Sequence, residues 1–115
     1  MLASKYRLPL RTELKRIRQE GKLIQGRLFS LQVGLAKSTQ PSRFGFIISS
    51  KIDKKAVRRN RAKRLLSEAV TKLRPQLRPG YEVVVLAKKK IIEADYQTIE
   101  KEFKALLNKA GMVSQ

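Results

Sequence analysis

The chain has 115 residues, no cysteine and no histidine, and only nine acidic side chains against 27 lysines and arginines. Each scarcity excludes something. Without cysteine there is no disulfide framework and no thiolate metal site. Without histidine the usual general base near neutral pH is missing. The carboxylates do not cluster in sequence: Asp53, Glu68 and Glu82 stand alone, and Glu93, Asp95, Glu100 and Glu102 read as helix-start and surface charges. A metal-dependent nuclease needs converging carboxylates, so no catalytic or metal-ligating residue is assigned and unaided hydrolysis of RNA is not expected. No segment approaches the roughly 18–20 continuous apolar residues of a membrane span. Met1 to Leu10 lacks a long apolar stretch followed by a small-residue cleavage site, so no secretory signal is read and a cytoplasmic protein is expected.

What is present is positive charge. The net charge is +18, and a chain this short repels itself unless a polyanion neutralises it. Nucleic acid is the natural polyanion. Hydrophobic residues make up 42% of the chain, enough for a packed core, and the length suits one domain spanning 1–115. The charge is uneven. Residues 1–20 carry six basic and two acidic side chains (+4), residues 21–92 eighteen and three (+15), and residues 93–115 three and four (−1). The binding surface is therefore sought in the middle of the chain, and the C-terminal segment reads as scaffold.

Residues 1–11 lack periodicity, contain Pro9 and read as an irregular basic arm. Thr12 is placed to cap a helix over 12–20, ended by Gly21. Residues 27–35 alternate, with Phe29, Leu31, Val33 and Leu35 on one face and Leu28, Ser30 and Gln32 on the other, which predicts a half-buried strand. Residues 36–42 read as a loop and 43–50 as a second strand, close enough in sequence to predict an antiparallel pair with the first. Residues 56–73 form the strongest helical pattern, stopped by Pro75. Residues 81–87 (YEVVVLA) predict a strand buried on both faces, Lys88, Lys89 and Lys90 a basic loop, and residues 95–110 a last helix stopped by Gly111. The order helix-strand-strand-helix-strand-helix gives an α+β sandwich with helices packed on a small sheet.

At 100° per residue, the helix over 56–73 separates into two faces. Ala62, Leu65, Leu66, Ala69, Val70 and Leu73 form an apolar stripe. Arg59, Asn60, Lys63 and Arg64 form a separate arc, with Arg58 and Arg61 nearer its edges. Cations at a helix start oppose the macrodipole, and like charges four residues apart destabilise by roughly 0.2–0.5 kcal/mol. Phosphate reverses both penalties, since guanidinium forks bind it bidentately. Asn60 can donate and accept, which suits a 2′-hydroxyl or a base edge.

The stretch from Arg43 to Val70, RFGFIISSKIDKKAVRRNRAKRLLSEAV, resembles the ribonuclease P protein family. The matching residues are Arg43, Gly45, Ser50, Lys51, Ala56, Val57, Arg59, Asn60, Arg61, Lys63 and Arg64. The resemblance implies the protein subunit of the ribonucleoprotein that removes the 5′ leader from precursor tRNA. It implies that the catalytic site lies in the RNA subunit and requires Mg²⁺, with no cofactor bound by the protein. It further implies that the Arg-Asn-Arg helix and nearby basic residues bind the RNA subunit, and that the precursor's leader lies in a cleft between the first helix and the sheet. A left-handed crossover between the strands at 43–50 and 81–87 is implied as well. The RNA-binding set is then Arg43, Lys51, Arg58, Arg59, Asn60, Arg61, Lys63, Arg64, Lys88, Lys89 and Lys90. Cleft candidates are Leu14, Lys15, Arg18, Phe29 and Gln32. The sequence departs from the family at Lys54, where glycine is usual, and at Leu14, Arg18 and Gln32, where aromatics are usual. A ribosomal protein or RNA chaperone fits size and charge equally well; only the Arg-Asn-Arg constellation after an Arg-x-Gly strand separates the two readings.

Overall fold

A computed structural model describes residues 2–36 and 40–113. Its elements are α1 (Leu10–Glu20), β1 (Lys22–Ile24), β2 (Phe29–Leu35), β3 (Arg43–Ile47), α2 (Ala56–Leu73), β4 (Tyr81–Ala87) and α3 (Tyr96–Lys109), with single 3₁₀ turns at Ser4–Tyr6, Arg74–Gln76 and Lys89–Glu93. The α+β sandwich follows the expected order with one strand added. The three-residue β1 is too short to show alternation, and it pairs antiparallel with β2.

The sheet order is β1-β2-β4-β3, so the expected pairing of the strands at 27–35 and 43–50 is wrong. β4 lies between them, antiparallel to β2 and parallel to β3. The physical reason is in β4 itself: Val83, Val84 and Val85 are fully buried, and a strand apolar on both faces belongs in the sheet interior. Proximity in sequence favours a hairpin, but burial of β4 outweighs it. Of the expected loop at 36–42, residues 37–39 lie outside the described residues.

The two faces of the sheet are filled differently. On one, α2 and α3 pack over Leu31, Val33, Phe44, Val83 and Val85, and the Phe103 ring lies 5.1 Å from that of Phe29 and 6.1 Å from that of Phe44. The apolar stripe read for α2 is buried throughout. Asp95 caps α3 by accepting from the Thr98 N–H at 2.8 Å, and Gly111, at φ 76°, turns the chain out of the helix in a conformation other residues resist. On the other face α1 covers a smaller cluster of Leu8, Ile17 and Val84, edged by half-buried Leu10, Leu14, Ile47 and Leu86.

α1 begins at Leu10, not after a Thr12 cap. Pro9 precedes the helix, and the Thr12 hydroxyl donates to the Pro9 carbonyl at 3.2 Å. The earlier start lets Leu10 pack over Gly45. The expected irregular arm is anchored as well: Leu2 joins the main core, Leu8 joins the α1-side cluster, and the Leu8 N–H donates to the Phe44 carbonyl at 2.9 Å. The arm thus wraps the outer edge of β3 from one face of the sheet to the other.

Candidate nucleic-acid interface

Because β3 and β4 are parallel, their C-terminal ends lie at the same end of the sheet. The connections after them, residues 48–55 and 88–95, emerge there, and α2 begins there. Arg58, Asn60, Arg61, Lys63 and Arg64 are exposed on α2, and Arg59 is half-buried. The first turn of α2 has no acidic residue, and Lys55 at its N-cap makes no side-chain cap. A helix start without a carboxylate or cap favours an incoming anion.

One carboxylate organises the approach to α2 without neutralising it. Asp53 accepts the Lys55 N–H at 2.8 Å and pairs with Arg58 at 3.3 Å, while its carbonyl accepts from Arg59 Nη1 at 2.7 Å. The Lys55 N–H and then Arg58 hold its carboxyl below the usual carboxylate range. Lys54 fits this turn without glycine's freedom, since no described non-glycine residue has a positive φ. Arg61 Nη1 approaches the carbonyls of Ile92 and Ala94 at 3.5 and 3.4 Å, which brings the 3₁₀ turn carrying Lys89 and Lys90 against α2.

Two members of the expected set lie elsewhere. Lys88 points away from the arc: its Nζ donates to Gln25 Oε1 at 3.0 Å and to the Gly26 carbonyl at 2.6 Å, tying the end of β4 to the β1–β2 turn. Arg43 stands at the opposite end of β3 from the arc, with its guanidinium on the Glu82 carboxylate. The structure therefore gathers Lys51, Arg58, Arg59, Asn60, Arg61, Lys63, Arg64, Lys89 and Lys90 at one end, and not Arg43 or Lys88.

The cleft candidates divide too. Phe29 is fully buried on the α2–α3 face and cannot line a cleft beside α1. Gln32 is on the α1 face but nearly buried, its amide donating to the Gly21 carbonyl at 2.8 Å. Leu14 is half-buried at the edge of the α1 cluster, and Lys15 and Arg18 are exposed. Arg11, Leu14 and Arg18, at i, i+3 and i+7, share one stripe of α1. With Ile47 and Leu86 on the sheet, Leu14 forms a partly exposed apolar strip flanked by arginines.

Sequence reasoning does not anticipate the buried acid that joins α1 to the sheet. Glu82 is 1% exposed, and its two carboxylate oxygens take Arg16 of α1 and Arg43 of β3. Arg16 also pairs with Glu13 at 2.6 Å and Glu20 at 3.7 Å. The signal was available: a strand read as buried on both faces leaves an acid within it no route to water, so it requires a cationic partner. Glu102 is not the surface charge expected of it: it accepts the N–H groups of Leu28 and Phe29 at 2.7 and 3.3 Å. Gly45 is explained by close approach, since a Cβ there would meet Leu10 Cδ2 at 2.6 Å. Among the described residues no group of three or more acidic, Cys or His side chains could hold a metal ion, and no helix is long and apolar enough to cross a membrane.

Comparison with known proteins finds relatives in sequence and in fold. The ribonuclease P family model matches residues 2–111. The ribonuclease P protein component of Caldanaerobacter subterraneus is 39% identical over 103 residues, covering 90% of this chain and 87% of that protein. Its counterpart from a Cyanothece species is 34% identical and covers 98% of each. The RNase P protein of Thermotoga maritima, solved in complex with 1-(4-fluorophenyl)-2-thiourea, superposes with a TM-score of 0.82 at 30% identity, over 90% of this chain and 98% of that one. The RNase P protein of Staphylococcus aureus gives 0.84 over 95% and 98% of the two chains; at 22% identity that likeness bears on the fold alone.

Proposed function

The chain belongs to the ribonuclease P protein family, the protein component of a tRNA-processing ribonucleoprotein, and from that premise we propose that its α2 arc binds the RNA subunit while the strip beside α1 holds the 5′ leader of precursor tRNA. The observation that carries the reading is the two-faced α2: a fully packed apolar stripe behind an exposed arc of Arg58, Asn60, Arg61, Lys63 and Arg64 at an uncapped helix start. Such an arc costs folding stability and is favourable only against phosphate. Lys51, Lys89 and Lys90 extend it.

The leader is single-stranded, and single-stranded RNA is recognised by stacking on aromatic or guanidinium planes and by backbone charge. This strip offers Leu14, Ile47 and Leu86 with Arg11 and Arg18 at its margin, so charge and guanidinium stacking take the larger share. Cleavage belongs to the RNA subunit and its Mg²⁺; among the described residues this chain's carboxylates form no group of three that could hold a metal ion. Its contribution is to bring two polyanions together, in the cytoplasm, with +18 of compensating charge.

The test is reconstitution. Protein freed of RNA should cleave no precursor tRNA, and added to a bacterial ribonuclease P RNA it should lower the Mg²⁺ needed for 5′ cleavage. Cleavage by the RNA-free protein, or no effect on the RNA at any Mg²⁺ concentration, would overturn the reading; the second result would favour a general RNA binder.

A further inference from the structure

We propose that Glu82 is a positioning residue for leader recognition: its buried carboxylate and the half-buried Arg16 and Arg43 form a clamp that fixes α1 against the sheet and keeps both arginines off RNA. The inference rests on the reading that the α1 strip holds the leader.

α1 has little else to hold it. Its apolar footing is Ile17, with half-buried Leu10 and Leu14, on a cluster with only three fully buried members, and the adjoining sheet positions are Gly34, Gln32 and Glu82. The Glu82 carboxylate is 2% exposed, so each of its oxygens requires a donor. Arg16 and Arg43 supply those donors from two different elements. Glu13 takes Nε and shares the Nη2 nitrogen of Arg16 with Glu82, and Glu20 faces Nη1, so the guanidinium is held on every edge and its direction is fixed. The clamp therefore sets where α1 sits along the sheet, and with it the spacing between Arg11, Leu14 and Arg18 above and Ile47 and Leu86 below. It also accounts for the Arg of the Arg-x-Gly strand: Arg43 serves the carboxylate beside it in register, not a phosphate.

Two explanations of Arg16 give opposite signs. If Arg16 acts only through α1, freeing it by Glu82→Gln loosens the helix and weakens leader binding, as Arg16→Ala does. If Arg16 is itself a leader ligand, Glu82→Gln releases a cation and strengthens leader binding, while Arg16→Ala weakens it. The measurement is affinity of the reconstituted holoenzyme for precursor tRNA and for mature tRNA, with wild type, Glu82→Gln, Arg16→Ala and Arg16→Lys. Affinity for the RNA subunit and thermal melting are measured alongside.

Both Glu82→Gln and Arg16→Ala should lower the preference for precursor over mature tRNA by about fivefold, the lower end for sites coupled through one structural element. Arg16→Lys should recover part of it, and binding to the RNA subunit should not change. Opposite signs, equal losses for both tRNAs, or an unchanged preference in a folded variant would overturn the clamp. If Glu82→Gln does not fold, Arg43→Ala is measured in its place, because it opens the clamp while leaving Arg16 present: a lowered preference for precursor supports the clamp, and an unchanged or raised preference, or an equal loss for both tRNAs, is fatal. Wild type showing no preference for precursor would instead refute the leader reading itself.

Discussion

The sheet has one face built for stability and one built for adjustment. Under α2 and α3 the layer is apolar, with Phe29, Phe44 and Phe103 interlocked and Leu31, Val83 and Val85 beneath them. Under α1 the same strands present Ser30, Gln32, Gly34 and Glu82, and among the described residues the buried apolar side chains there are Leu8, Ile17 and Val84. A close-packed apolar layer resists displacement, because any shift forfeits contacts on all sides. A layer fixed by a few ion pairs and hydrogen bonds can be tuned one group at a time. The face that meets solvent beside α1 is accordingly the one proposed to hold a variable single strand.

This contrast can be broken by mutation. Phe103→Ala should cost about 3–5 kcal/mol in thermal or denaturant unfolding, because it removes the ring shared by Phe29 and Phe44. Ile17→Ala, though equally buried, should cost about 2 kcal/mol, the bottom of the range for such truncations, because its polar surroundings lose less apolar contact. Equal costs would show that the α1 face contributes as much as the other. Asp95→Ala should lower the melting temperature only slightly through loss of the α3 cap. Thr98 holds the Asp95 carboxyl below its usual range through its side chain and its N–H, so this stabilisation is complete at neutral pH and fades as pH falls through the lowered value. Melting of wild type and Asp95→Ala should therefore converge in acid. Smallest of all, Lys63→Ala and Arg64→Ala should leave melting unchanged, while each lost phosphate contact should reduce the salt slope of log K for the RNA subunit by about 0.7–0.9. A large drop in melting would make the arc structural and refute its assignment to RNA.

Much of this was legible before the fold was known, and the reasons differ by element. α2 and β4 begin and end where they were read, because a long stripe bounded by Pro75 and a buried run launched by Pro79 and Gly80 are local signals. Alternation in β2 put Phe29 and Gln32 on opposite faces correctly, but periodicity does not say which face a distant helix will cover. Strand partners were not legible either, since β4 enters between β2 and β3 from far along the chain. Lys88 and Arg43 belong to the RNA-binding set by charge, and charge alone does not reveal that each has an acceptor elsewhere in the fold. Their partners, Gln25, Gly26 and Glu82, are settled by tertiary structure.

The position of Glu82 bears on how the chain avoids misfolding. In the native ladder Glu82 stands opposite Gly34 on β2 and Arg43 on β3, while Val83 stands opposite Val33 and Phe44. Side chains alternate along a strand, so a slip of one residue would turn Glu82 toward the aromatic layer and exchange Val83 and Val85 for Val84 there. A hydrophobic strand on its own would tolerate that error, because Val83, Val84 and Val85 are interchangeable in shape and polarity. The single carboxylate removes the degeneracy: in the slipped alignment it would be a buried charge without a counter-ion, which is strongly unfavourable. Glu82 thus acts as a proofreading mark on β4, and the repetitive apolar strand at the centre of the sheet has one alignment it can keep.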